Sequence, residues 1–170
     1  MSQAFDFTTY DLGVVTLRPL SSSSAEKLGA ILAMIPPWSV LEWPADRMIR
    51  ALQSQLPSVL RFEVSTFGSV AGIITIQYPF LHGPYLQLLA ILPEFQGQNL
   101  GLRLLQWMES EARRAEARQL WLCVSTFNVR ARAFYDRFGF EVVSVLEKLA
   151  SDASDELFMR KRLFYGNGDR

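Results

Sequence analysis

Several residue types are scarce in this sequence, and each scarcity excludes something. Cysteine occurs once, as Cys123. A lone cysteine closes no intramolecular disulfide, and its setting, "LWLCV", reads as a buried strand thiol rather than a reactive one. Lysine stands only at positions 27, 148 and 161; the other basic residues are arginines, the better side chain for gripping phosphate or carboxylate in a fork. Charge of one sign is also missing. Seventeen basic residues balance seventeen acidic ones, so no net field draws the chain to nucleic acid or to an anionic membrane. No stretch approaches the ~18 apolar residues of a spanning helix. The first residues, "MSQAFDFTTYDLG", have neither a basic start nor an apolar core, so no secretory leader is expected. These absences predict a soluble, cytoplasmic protein.

What is present is ordinary for a globular chain: 49% hydrophobic and 20% charged residues over 170 positions, enough for one domain, 1–170, with a sizeable core. Periodicity divides it. "GVVTLRPL" (13–20) reads as a strand, "SSSSAEKLGAILAMI" (21–35) as a serine-capped helix, and "PPWSVLEWP" (36–44) as its break. A short helix (45–56) follows, then strands at 59–66, 69–78 and 84–92, the first two joined by a hairpin turn at Phe67-Gly68. A long helix runs from 100 to about 117, a strand over 119–126, and a helix over 128–138 closed by Gly139. Strands at 140–147 and 157–164, separated by a polar turn at 151–156, end the pattern before a frayed tail. This order predicts an α/β (α+β) protein with a central mixed sheet of six to seven strands flanked by about four helices. The unit from 84 to 126 requires a parallel pair joined by a right-handed crossover.

Chemistry concentrates after the third of these central strands. Gln96, Gly97, Gln98, Asn99, Leu100 and Gly101 lie between an apolar strand and a helix start. The first turn of a helix leaves amide hydrogens unpaired at its partly positive end, and small residues there expose them to a phosphate. Gly97 and Gly101 allow close approach, and Asn99 tolerates a left-handed backbone. Spacing alone does not separate this from an ordinary strand-to-helix connection.

Three segments together resemble the GNAT superfamily of acyl-CoA-dependent N-acetyltransferases. "LAILPEFQGQNLG" resembles its central strand and pyrophosphate loop, [RQ]-x-x-G-x-[GA], with Gln96 first, Gly101 last and Asn99 in place of the middle glycine. "NVRARAFYDRFGF" resembles its N-x-x-A-x-x-x-Y-x-x-x-G-F motif, with Asn128, Ala131, Tyr135, Gly139 and Phe140 in place. "FMRKRL" looks like its closing strand, so the likeness covers 13–164.

The resemblance implies a GNAT fold whose central strands splay apart beyond Ala90. It implies pantetheine contacts near Leu89, Ile91 and Leu92, diphosphate held by amides from Gln96 to Gly101, and Asn128 on the far wall. The acetyl-CoA thioester would then end beside Tyr135. An amide near Ile91 would steady the developing oxyanion, and the Tyr135 hydroxyl would protonate the departing thiolate.

The base stays open among Glu42, in the segment that walls the acceptor pocket in this superfamily, Glu63, His82 and water. Trp38, Trp43 and Phe80 are candidate acceptor-pocket aromatics. The implied activity is acetyl transfer to a primary amine; a non-catalytic acyl-CoA-binding or sensing module is the rival. An exposed edge at 157–164 would invite a homodimer.

Overall fold

The computed structural model describes residues 4–163. Its chain order is β1 (Tyr10–Asp11), β2 (Thr16–Pro19), α1 (Ser22–Leu32), α2 (Ala45–Gln53), β3 (Val59–Thr66), β4 (Ser69–Phe80), β5 (Gly83–Ile91), α3 (Leu100–Arg114), β6 (Gln119–Ser125), α4 (Val129–Phe138), β7 (Glu141–Ser151) and β8 (Ser154–Arg162), with a single 3₁₀ turn at Pro93–Phe95. All eight strands form one mixed sheet in the order β1-β2-β3-β4-β5-β6-β8-β7. The eighth strand is the two-residue β1, too short to leave a periodic signal.

Local chemistry fixes the helix ends. Ser21 caps α1 by accepting the Ser24 amide at 3.1 Å. Asn128 caps α4 by accepting the Ala131 amide at 3.2 Å, and Gly139, at φ 98°, stops that helix. Leu28, Leu32, Met48 and Leu52 from α1 and α2 pack on Ile73 and Ala90 on one face of the sheet. Leu104, Leu105 and Met108 of α3 and Tyr135 of α4 cover the other face, against Ile74, Ile76 and Leu122. Each such buried side chain contributes about 1.5–3 kcal/mol, which anchors both layers to the sheet.

The parallel pair is what positions the site. β5 and β6 are in register only at Tyr85↔Trp121 and Leu86↔Leu122. At their near end the strands are pressed together: a Cβ on Gly83 would lie 1.8 Å from the Gln119 carbonyl oxygen. At their far end nothing pairs them, and the sheet splits.

Two expectations are corrected. The polar stretch 151–156 is not all turn: β7 runs to Ser151 and β8 starts at Ser154, leaving Asp152-Ala153 as the bend. And β8 is not an edge. It pairs with β6 on one side and β7 on the other, because the chain crosses back inside β7; the free edge is β7. Residue 164 of the expected last strand, and the tail after it, lie outside the described residues.

Candidate active site

The split opens into a groove of about 820 Å³, within the ordinary range for a small-molecule site. One wall is β5. The Leu92 amide donates to the Ala71 carbonyl at 2.8 Å, so Leu92 faces β4 and lies beneath the groove. Strand alternation then turns the backbone groups of Leu89 and Ile91 toward the gap, and both residues line it. The Ile91 carbonyl accepts the Gln96 side-chain amide at 3.0 Å, and Gln96 Oε1 accepts from Arg130 at 3.0 Å, so one glutamine spans the mouth between β5 and α4.

The loop after β5 presents donors. The Gln96 amide is used, donating to the Pro93 carbonyl at 3.2 Å. From Gly97 to Leu102, no backbone amide donates to a protein acceptor among the described residues. Gly97 (φ 80°) and Asn99 (φ 59°) are both left-handed, which turns successive amides the same way. Asn99 is the N-cap of α3 yet makes no side-chain cap, so its side chain is uncommitted. Gly97, Asn99, Leu100 and Gly101 line the groove; Gln98 does not. The charged residues among the lining are Arg130 and Arg137, with no carboxylate. Free amides, a helix N-terminus and arginines suit an anion such as a diphosphate, and the open strand edge suits an amide-bearing tether.

Asn128 and Tyr135 form the opposite wall. The Asn128 carbonyl oxygen is spent on its helix cap, which leaves its side-chain NH₂ for a ligand. Tyr135 is 8% exposed, and its hydroxyl has no hydrogen-bond partner among the described residues. Burial holds that hydroxyl above the usual phenol range, so it stays protonated at neutral pH. Trp38 lines the groove beside Pro36 and Pro37. Trp43 instead donates from Nε1 to the Ala150 carbonyl at 3.3 Å, tying the α1–α2 turn to the β7–β8 hairpin. Phe80 sits 4.9 Å from the Tyr85 ring, below the split.

The structure does not bring the candidate bases to the groove. Glu42 is exposed and outside its lining. Glu63 lies on β3 and accepts from Ser65 Oγ at 3.4 Å. His82 is exposed at the opposite end of β5, in a small recess with Glu116 and Arg118.

A different carboxylate was missed. Glu156, in the stretch taken for a turn, is the third residue of β8 and 6% exposed. Ser125 Oγ, on β6, donates to its Oε1 at 2.5 Å. Burial pushes the Glu156 carboxyl above its ordinary range, against the lowering effect of the Ser125 bond. The signal was the alternation of "SDELFMRKR", which puts Ser154, Glu156 and Phe158 on one face.

The sheet of this three-layer α/β protein splits at the parallel β5–β6 pair, with the N-terminus of α3 facing the split. The chain belongs to the acetyltransferase (GNAT) family, which it matches over residues 27–140. Among curated proteins, the aminoalkylphosphonate N-acetyltransferase of Salmonella typhimurium (strain LT2) is 35% identical over 79 residues, 44% of this chain. That match takes in 51% of the relative, so the chain spans about half the length of the curated relative it matches. Among solved structures, Ard1 from Thermoplasma volcanium superposes with a TM-score of 0.71 at 24% identity, covering 90% of this chain and 100% of its own. The ribosomal-protein-S18-alanine N-acetyltransferase from Escherichia coli gives 0.69 at 21% identity, covering 92% and 98%. At these identities the two structures speak for the fold.

Proposed function

We propose that the protein is a cytoplasmic N-acetyltransferase that moves the acetyl group of acetyl-CoA to a primary amine by direct attack. The observation that carries this reading is the row of free amides from Gly97 to Leu102, opening into a groove whose opposite wall includes Asn128 and Tyr135. Those amides would hold the diphosphate, with Asn99 supplying the left-handed turn that a glycine would otherwise supply. Backbone groups of Leu89 and Ile91 would pair with the pantetheine amides once Gln96 releases the Ile91 carbonyl, and Asn128 would contact the same arm from across the gap.

Acetyl-CoA supplies an activated thioester carbonyl. The amine lone pair attacks that carbon, the C–N bond forms, and the C–S bond breaks. Tyr135 would give a proton to the departing thiolate, and its raised affinity for the proton keeps it in the donating form. An amide on the gap side of β5 would stabilise the oxygen as it gains charge.

The test is release of free CoA thiol from acetyl-CoA against a panel of primary amines, with aminoalkylphosphonates first because of the curated relative. Turnover with at least one amine, reduced by roughly 100-fold or more in kcat in Tyr135→Phe at unchanged acetyl-CoA affinity, is expected. Acetyl-CoA binding without turnover on any amine would favour a sensing module instead.

A further inference from the structure

We infer that Glu156 receives the acceptor: its free carboxylate oxygen binds the incoming ammonium group beside the inner end of the groove and takes its proton. This rests on the acetyl-transfer reading of the groove and names a residue on the acceptor side of that same site.

The geometry begins at the point where β5 and β6 part. Trp121, Cys123 and Ser125 alternate onto one face of β6, and Ser125 is in register with Glu156 on β8. Leu86, opposite Leu122, is the last paired position of β5, and Cys123 and Ser125 follow on the stretch of β6 that borders the split. Ser125 is tied to the groove wall: its carbonyl accepts, at 2.9 Å, the amide of Asn128, which lines the groove.

Glu156 Oε1 is satisfied by Ser125, but Oε2 has no partner among the described residues. Nor is Oε2 sealed in. The fully buried side-chain polar atoms without partners are Arg61 Nε, Thr75 Oγ1, Trp107 Nε1 and Arg160 Nε. One oxygen of a largely buried carboxylate therefore meets open space.

No cation among the described residues pairs with it. Lys148, on the same hairpin, pairs with Asp155 at 3.3 Å, and the Arg160 guanidinium lies over the Trp121 ring. From β7, Leu146 stands opposite Glu156; Arg47 of α2 stacks on Trp43, and Glu42 in the α1–α2 turn is exposed. The groups facing it from β5 and β6 are Tyr85 and Cys123, both held protonated chiefly by burial. A buried carboxylate without a counter-charge is costly, and is retained most simply where a ligand brings the positive charge.

An amine acceptor does so. It arrives as an ammonium ion and must lose a proton before it can attack. Oε2 takes that proton, the neutral nitrogen attacks the thioester carbon, and Glu156 later returns its proton to water. The second proton leaves the nitrogen as the amide forms and balances the one that the thiolate takes from Tyr135. Burial raises the carboxyl toward neutrality, which improves the match between base and ammonium.

The experiment is the pH dependence of kcat/KM for the natural protein, Glu156→Gln and Ser125→Ala, with the amine turned over fastest by the natural protein, alongside calorimetric titration of each with acetyl-CoA. For Glu156→Gln the expected result is unchanged acetyl-CoA affinity, a loss of roughly 100-fold or more in kcat/KM and disappearance of the acidic limb. Ser125→Ala keeps the carboxylate but removes a bond to its charged form, so its acidic limb should move to higher pH. Glu156→Gln activity within a few-fold of natural with an unmoved limb, or an unmoved limb in a folded, acetyl-CoA-binding Ser125→Ala, overturns the inference while leaving acetyl transfer standing. A natural protein that binds acetyl-CoA and turns over no amine overturns acetyl transfer itself and this inference with it.

Discussion

Tyr135 and Glu156 are titratable groups that burial pushes in the same direction for opposite uses. For the phenol, a raised pKa secures a proton to give; for the carboxylate, it makes a better acceptor of one. The carboxylate has a consequence for folding that needs no substrate. Its native pKa lies above the ordinary 4.5, so at pH values between the two the native state holds a proton that the unfolded chain has released. Stability contributed by this group is therefore full below about pH 4.5 and falls as pH rises through the native value. Glu156→Gln lacks that slope. Thermal melts of the two proteins should show the variant gaining on the natural protein as pH rises from 4 to 8. A difference in Tm that is flat with pH would mean that the carboxylate titrates as an ordinary surface group.

At the scale of elements, the α3–α4 contact sets the width of the groove mouth. A Cβ on Gly101 would meet Phe134 Cζ at 3.3 Å, so Gly101 is needed for close packing of α3 against α4, whereas Gly97 is needed for its left-handed turn. Gly101→Ala should change stability by less than about 1 kcal/mol in a denaturation series, because the crowding of Phe134 is offset by the higher helix propensity of alanine. The free edge makes a second prediction. Val143 and Val145 of β7 are 46% and 51% exposed beside unpaired backbone groups, an arrangement that recruits another strand. Sedimentation at rising concentration should show self-association that Val145→Lys weakens; a natural protein that stays monomeric throughout would contradict this.

The elements also show what the sequence made legible and why the rest was not. The caps at Ser21 and Asn128, the stop at Gly139 and the left-handed Asn99 are set by a residue and its near neighbours, so composition announces them. The insertion of β8 between β6 and β7 is a choice among long-range pairings, and no local pattern encodes it. Misplacing the edge followed from that. Glu156 was hidden for the same reason: within "SDASDE" it looks like turn chemistry, and only the neighbouring β6 makes it buried.

On the scale of the whole molecule, the split sheet is a stability deficit that a ligand would repair. The gap-side edge of β5 has no strand partner beyond Leu86, the Ile91 carbonyl holds only the Gln96 side chain, and the amides at the start of α3 have no protein acceptor among the described residues, so a ligand that supplies partners binds the native state and not the unfolded one. Acetyl-CoA at about 100 times its Kd should stabilise the fold by about 2.7 kcal/mol, a rise in Tm on the order of 5–10 °C. CoA lacking the acetyl group should give most of that rise, because diphosphate and pantetheine carry the contacts.

A crystal structure of the protein grown with acetyl-CoA decides the matter. The expected result has phosphate oxygens within about 3 Å of amides between Gly97 and Leu102, Gln96 released from the Ile91 carbonyl, and the thioester sulfur within hydrogen-bond reach of the Tyr135 hydroxyl. A diphosphate seated away from those amides, or a groove still spanned by the Gln96–Arg130 bridge at saturating acetyl-CoA, would contradict it.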